Sequence, residues 1–385
     1  MSFHSWNKLT PHQIVSALAL GSVAVLMVGI QPIVLGALVD AHRVTLEGVG
    51  VVAMGEIIAL GLGVIIGDVW LPPTRLRAIT LLSCILAAIF DLLTTRALGD
   101  GPVIAARAGA GLAEGMLVWG ATAVIVRSSN PSRVAGIFFV TQTLGQAAVG
   151  FLLATAVIPA WGWQGAFELL AILSLVTCGL AFSQPATLVT MDLEEMLDFR
   201  WSRRTLMPLL VVFLQLMALG SFWAYLEPIS KAIGLTAAQA QTLIAAVLGM
   251  QVLGGTAASL VIKRMATPLA LTASSAVLLR CVAATRALPP GSVVSFAFAC
   301  GLFGFAWLFM LPFQVDLALQ ADETKRVAGL VPAAQLLGCA VGPLMASFAV
   351  HGEDASAVPA LSMTLAAASI AAITLTGRQA RVRLA

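Results

Sequence analysis

Arg133-Val-Ala-Gly-Ile-Phe-Phe-Val-Thr-Gln142-Thr-Leu-Gly145 returns as Arg326-Val-Ala-Gly-Leu-Val-Pro-Ala-Ala-Gln335-Leu-Leu-Gly338, displaced by 193 residues in a chain of 385. That displacement is half the chain, so the sequence reads as a duplicated half. A second echo, Thr95-Arg-Ala-Leu-Gly-Asp-Gly-Pro-Val103 against Thr285-Arg-Ala-Leu-Pro-Pro-Gly-Ser-Val293, recurs at a displacement of 190. Two echoes at nearly one offset argue against chance.

Composition says where the repeat lives. Hydrophobic residues make up 59% of the chain, charged residues 10%, and mean hydropathy is +0.98, whereas a soluble domain carries roughly 25% charged residues. The chain belongs in a bilayer. Its 34 glycines and 17 prolines suit packed, kinked membrane helices, because small residues let backbones approach and neighbouring helices satisfy freed backbone groups. The net charge of +3 calls for no nucleic acid. Cys84, Cys178, Cys281, Cys300 and Cys339 fall inside apolar runs with no CxxC or Cys/His spacing, which reads as small core residues and not as disulfides or metal ligands.

Apolar runs long enough for a roughly 30 Å hydrocarbon core lie at about 12–38, 47–70, 77–98, 102–126, 134–158 and 164–183. A second set lies at about 206–230, 237–262, 267–287, 291–316, 327–350 and 356–376. The first run is too long for a signal-peptide core and lacks a small-residue cleavage site, so it is expected to stay as a spanning helix. Six spans per half, with turns such as Gly99-Asp-Gly-Pro102, Ser128-Ser-Asn-Pro131 and Leu288-Pro-Pro-Gly291 between them, predict an all-α polytopic membrane protein. Its parts are an N-terminal six-helix bundle over 1–184, a linker over 185–204 and a C-terminal six-helix bundle over 205–385.

Basic residues orient it, since the side richer in Lys and Arg stays in the cytoplasm. With both termini inside, the inner segments hold Lys8, Arg75, Arg77, Arg127, Arg133, Arg200, Arg203, Arg204, Lys263, Arg264, Lys325, Arg326, Arg378, Arg381 and Arg383. The outer turns hold Arg43, Arg96, Lys231 and Arg286. Fifteen against four places both termini in the cytoplasm and the chain in the cytoplasmic (inner) membrane. Trp6, Trp70, Trp161, Trp163 and Trp201 near span ends read as interfacial anchors.

Two like-oriented six-helix halves joined by a basic inner linker resemble the major facilitator superfamily. Arg107-Ala-Gly-Ala-Gly111 with Gly115 on the fourth span is similar to that family's buried-arginine motif, which the family associates with proton-coupled members. The gating motif expected after the second span is degenerate: Gly67-Asp68 is followed by Leu71-Pro72-Pro73 and only later by Arg75 and Arg77. The antiporter motif of the fifth span is reduced to Gly145 and Gly150, and Gly338-Cys-Ala-Val-Gly342-Pro343 on the eleventh matches it better. The resemblance implies twelve helices in two bundles related by a pseudo-two-fold axis. It also implies a midplane cavity lined by helices 1, 4, 7 and 10, and alternating access to it, with Asp68, Arg75, Arg77 and the four glycines with Pro343 as gating residues.

Ionisable groups at membrane depth cost about 2.5 to 3.5 kcal/mol each on insertion scales, so each needs a task or a partner. The candidates are Glu56, Asp91, Arg107, Glu114 and Arg280. Arg107 and Glu114 are seven residues apart, nearly two turns, and share one helix face. The repeat puts Ala297 and Gly304 at their counterparts, so the charges depart from the scaffold pattern. Glu114, with Arg107, Glu56 and Asp91, is therefore the proton-coupling candidate. The alternative is a static pair in which Asp91 or Glu114 neutralises Arg107. Arg280 facing the cavity beside Arg107 would favour an organic anion; a stabilising contact is its alternative.

Gln31-Pro32-Ile33 and Glu227-Pro228-Ile229 sit at comparable depth on the first and seventh spans. Both predict kinked outer ends where polar groups meet. Trp223, Tyr225, Glu227, Gln31, Gln251, Arg280 and the aromatic faces of Trp119 and Trp307 are substrate-binding candidates. Gln142 and Gln335, at matching places in the two halves, bond either substrate or a neighbouring helix.

Gly-x-Ser-x-Gly, Walker A, HExxH and dinucleotide glycine patterns are lacking, and His4, His12, His42 and His351 form no cluster. No enzyme, cofactor or metal is expected. The reading is a monomeric secondary transporter, symporter or antiporter, for a small organic solute, coupled to protons and working by alternating access. A multidrug or metabolite efflux antiporter is the alternative, and a non-transporting membrane sensor or scaffold is the reading from another class.

Overall fold

The computed structural model describes residues 9–186, 188, 202–322 and 326–381. Most of the linker, with Trp6, Trp201, Lys8, Arg200, Lys325 and Arg383, lies outside the described residues. Fourteen α-helices carry the described chain. In the N-terminal half they are α1 (Pro11–Ala24), α2 (Leu26–Asp40), α3 (Leu46–Trp70), α4 (Leu76–Thr94), α5 (Asp100–Val126), α6 (Pro131–Leu152) and α7 (Ile158–Cys178). The C-terminal half has α8 (Arg203–Ala224), α9 (Leu226–Ala232), α10 (Ala237–Val261), α11 (Thr267–Ala287), α12 (Val293–Ala321), α13 (Arg326–Ser347) and α14 (Val358–Arg381).

Among the described residues, eleven stretches are long and apolar enough to cross a membrane. One of them, Arg133–Ser183, has 51 residues, about 77 Å of helix at 1.5 Å per residue and twice what a bilayer needs. It breaks at Gly162 (φ 68°, ψ −166°), a left-handed conformation that glycine adopts without penalty, and so supplies two spans. The first and seventh spans are each two helices in line, α1–α2 and α8–α9, separated by single residues of nearly equal geometry. Val25 has φ −103°, ψ 8° and Tyr225 has φ −106°, ψ 11°. Twelve spans result, and both ends of the described chain lie at one end of the molecule. We call this the terminal end and the opposite one the distal end.

The two halves repeat one packing plan. In the first, α3 packs on α5, α5 on α4, α4 on α7, and α1 and α2 on α6. In the second, α10 packs on α12, α12 on α11, α11 on α14, and α8 on α13. Backbones approach closely at equivalent places: a methyl at Gly115 would run into the Leu60 carbonyl, and one at Gly304 would lie 2.6 Å from the Val247 oxygen. Small residues there give the close van der Waals contact that holds membrane helices together in place of a hydrophobic drive. The distal turns repeat as well. Gly99 (φ 84°) donates its N–H to Arg43 O at 3.0 Å, and Gly291 (φ 89°) donates to Ile233 O at 2.7 Å.

The halves then meet reciprocally, α3 against α13 and α6 against α10, which is what a two-fold axis between like bundles generates. The fold is two six-span bundles related by a pseudo-two-fold.

The expected kinks need one correction. In the seventh span the break at Tyr225 lies within a turn of Pro228, but α2 runs through Pro32, and the first span breaks seven residues earlier, at Val25. The reason is a partner: the Gln146 amide donates to the Val25 carbonyl at 2.7 Å, so the freed backbone group is satisfied there.

Candidate functional site

Arg107 is fully buried on α5, and three helices bring it three carboxyls. Its guanidinium meets Glu56 of α3 in a short ion pair, Asp91 of α4 at 2.5 Å and Glu114 of its own helix at 3.6 Å. Phe167 of α7 closes the other side, its ring centroid 5.5 Å from the guanidinium carbon, within cation–π range. Gly111 lets α3 come close enough to deliver Glu56, because a methyl there would strike the Glu56 carbonyl. The seven-residue spacing of Arg107 and Glu114 works as the helix period requires, with the long arginine side chain covering most of the ~10 Å rise.

One cation thus faces three acids, a net −2 if every carboxyl is ionised. Glu56 Oε2, Glu114 Oε2 and Arg107 Nε have no hydrogen-bond partner. Glu114 is the most exposed of the four, at 7%. By helix rise it lies ~21 Å from the distal start of α5, near mid-depth. The cluster sits inside the N-terminal bundle. Arg280, which the sequence left open between a cavity position and a stabilising contact, is exposed on α11, a helix that packs on α12 and α14.

At the distal end the bundles are clasped together. Tyr225, at the break between α8 and α9, accepts the Gly50 N–H of α3 at 3.1 Å. Pro343 of α13 presses its carbonyl onto the same glycine, where a side chain would collide. Lys231 of α9 pairs with Asp40 of α2 across the junction and with Glu227 of its own helix at 2.7 Å. Burial works against the Lys231 charge, but the hydrogen bonds to Asp40 and Glu227 win and hold its pKa above the ordinary lysine value. The Gly352 N–H donates to Glu47 at 2.8 Å. A distal vestibule of about 840 Å³ lies over this clasp, lined by Asp40, Arg43, Glu47, Asp100, Glu227 and Lys231 among others.

Between clasp and mid-depth lie several of the predicted binding residues. Gln31 on α2, Trp223 on α8 and Gln251 on α10 are buried, and each leaves a side-chain nitrogen unpartnered. Trp223 stands edge-on to Trp307 of α12, centroids 5.4 Å apart. Other predicted residues lie elsewhere. Trp119 packs within the N-terminal bundle against Gly67, in a cluster with Leu76 and Val124, so its ring is helix packing and not a solute face. Glu227 serves the clasp. Gln142 is half-buried without a hydrogen bond.

Of the predicted gating residues, Asp68 and Arg75 are exposed at the terminal end. Arg77 instead anchors the chain after the sixth span, donating to Gln184 O at 2.8 Å. Gly338 and Gly342 seat α13 against α8 backbone, while a methyl on Gly145 would meet Leu26 at an ordinary 3.8 Å and Gly150 touches Ile33 and Leu248.

The sequence reading missed a polar chain through the second bundle. Gln335 (α13) donates to Gln314 (α12) at 2.8 Å, Gln314 to Gln215 (α8) at 2.9 Å, and Gln215 to Ser275 (α11) at 2.9 Å. Ser369 (α14) completes it at 3.0 Å. Five helices are joined without a formal charge, where the first bundle uses Arg107. Glutamines inside apolar runs were the available signal. Lys231, Asp40 and Gln146 were missed for want of any periodicity to mark them.

No family model matches the sequence, and no curated relative does. Solved structures do match. The nucleoside transporter NupG, in a mutant form, aligns at 13% identity over 94% of this chain and 99% of that one, with a TM-score of 0.73. A bacterial homolog of the human lysosomal transporter Spinster, in an inward-facing and occupied conformation, aligns at 12% identity over 96% and 97%, with a TM-score of 0.66. Two bundles of repeated plan, twelve spans and whole-chain agreement with such neighbours lead to one conclusion: this chain has the fold of the major facilitator superfamily.

Proposed function

We propose that this protein is a proton-coupled secondary transporter that moves a small organic solute by alternating access. The observation that carries the reading is the one-to-three ratio of cation to acids around Arg107. Uncompensated charge at that depth costs several kcal/mol per ion, so the resting cluster holds protons. A site that must hold protons in one conformation and can lose them in another is a coupling device. Glu114, least enclosed, exchanges the proton; Glu56 and Asp91 hold Arg107 in place.

The positive-inside count makes the distal end the outer face of the inner membrane, so the clasp closes the outer side and both termini lie in the cytoplasm. Release of the clasp, as the segments 1–184 and 205–385 rock about the axis with the linker 185–204 between them, opens the junction of the two bundles outward.

The test is transport in proteoliposomes. Radiolabelled solutes are screened with and without an imposed pH gradient, beginning with uridine because two of the similar structures are a nucleoside transporter. The pH gradient is expected to drive accumulation, and Glu114→Gln to abolish the pH drive while leaving gradient-free exchange. Accumulation by Glu114→Gln equal to wild type would reject the coupling role.

A further inference from the structure

We propose that the solute is uncharged, planar and rich in hydrogen-bond acceptors, held between α2, α8, α10 and α12 just inside the clasp; this rests on the transporter reading above. Three side chains more than nine-tenths buried carry the argument: Gln31 at 2% exposure, Trp223 at 2% and Gln251 at 4%. Each has a side-chain nitrogen with no partner. A buried polar group left unmade costs about 1 to 3 kcal/mol, and the three stand on helices that meet at α2, since α8 and α10 both pack against it.

Their chemistry selects the ligand. An indole N–H only donates, so the group opposite Trp223 must accept; a carboxamide offers a donor or an acceptor, so Gln31 and Gln251 suit a carbonyl, a ring nitrogen or an amide. Trp307, half-buried and edge-on to Trp223, supplies a flat aromatic wall for a ring to lie against.

Charge is matched away nearby. Glu227, one turn from Trp223, is paired with Lys231. Arg107 is enclosed by its acids and Phe167, and Arg280 is exposed on α11. An anionic solute would find no free cation among these residues; the one spare acid, Glu114, is taken up with a proton on the reading above, and desolvating any charge would be costly.

The experiment uses purified full-length protein in lipid nanodiscs and equilibrium binding of four labelled probes of similar ring size. Caffeine and uracil are neutral and acceptor-bearing, benzoate is anionic, and N-methylpyridinium is cationic. Selective saturable binding of a neutral probe is expected, weakened at least tenfold by Gln31→Leu and by Gln251→Leu. Trp223→Phe, which keeps a ring and deletes the donor, is expected to weaken it likewise.

In parallel, spin labels on the outer loops at Arg43 and Glu353 report whether the clasp opens. Selective binding of benzoate or N-methylpyridinium, or binding of neither neutral probe while the clasp still opens and closes, overturns the solute class and leaves the transporter reading standing. Selective neutral binding that all three substitutions leave unchanged overturns the site. A clasp that never opens overturns the transporter reading itself.

Discussion

Substituting Gly50 should unlock the distal clasp. In the closed structure a methyl on Gly50 would collide with the Pro343 carbonyl and lie 2.8 Å from Tyr225 Oη. Neither neighbour is the loose tip of a flexible side chain: one is backbone and the other is buried tyrosine. Overpacking of this kind costs about 1 to 3 kcal/mol, and the cost falls on the closed state alone, because α3 and α13 part when the clasp opens. The closed-to-open ratio of Gly50→Ala is therefore expected to fall by about 5- to 150-fold. Tyr225→Phe removes only the hydroxyl that accepts the Gly50 N–H. That N–H sits in the first turns of α3 with a helical acceptor also in reach, so the loss is near the ordinary net value of about 1 kcal/mol, roughly a fivefold shift. The assay is the distance distribution between spin labels at Arg43 and Glu353 in nanodiscs. A long-distance population should grow from wild type to Tyr225→Phe to Gly50→Ala. Distributions identical to wild type in Gly50→Ala would refute the reasoning, since the collision would then have been relieved without opening.

Three further outcomes follow from the packing. Arg107→Leu leaves three carboxyls without their cation; breaking a buried pair this way costs about 3 to 5 kcal/mol. Its thermal unfolding temperature should fall at pH 7 and recover as pH is lowered and the acids take protons, and a pH-independent loss would contradict the charge count. Gly115→Ala and Gly304→Ala should each lose about 1 to 3 kcal/mol against backbone carbonyls, whereas Gly61→Ala, with nothing within 4 Å, should unfold like wild type; equal Tm values for all three would refute the close-approach argument. Gln314→Leu cuts two links of the amide chain and strands Gln215 and Gln335 at about 1 to 3 kcal/mol each, while Gln142→Leu should stay within about 0.5 kcal/mol, a contrast that chemical unfolding in detergent would reveal.

Much of this fold is readable in the chain because a membrane leaves few choices. Backbone groups in hydrocarbon must pair within a helix, so apolar runs map onto spans, and the echo at Arg133 and Arg326 maps onto repeated packing. The buried acids and Arg107 were legible for a related reason, since an ionic group at that depth must find a partner. Which partner was not: Glu56, fifty-one residues from Arg107, makes the closest contact, and only the glycine-mediated approach of α3 to α5 decides that. Trp119 and Trp307 look alike in sequence, yet one packs on Gly67 and the other pairs with Trp223, because helix rotation decides what a side chain faces. The break at Val25 also defeats local reading. Pro32 is the visible signal, but a glutamine 121 residues away fixes where the helix parts. Lys231 joins both halves through Asp40, a contact between loop-flanking ends that no period in the sequence records.

The central claim is that the Arg107 cluster stores protons, and infrared difference spectroscopy of the purified protein across a pH titration tests it without knowledge of the solute. A protonated-carboxyl stretch from a non-aqueous environment should be present at neutral pH, titrate away at alkaline pH, and weaken in Glu114→Gln. A spectrum in which no buried carboxyl is protonated at neutral pH, and which Glu114→Gln leaves unchanged, would contradict it.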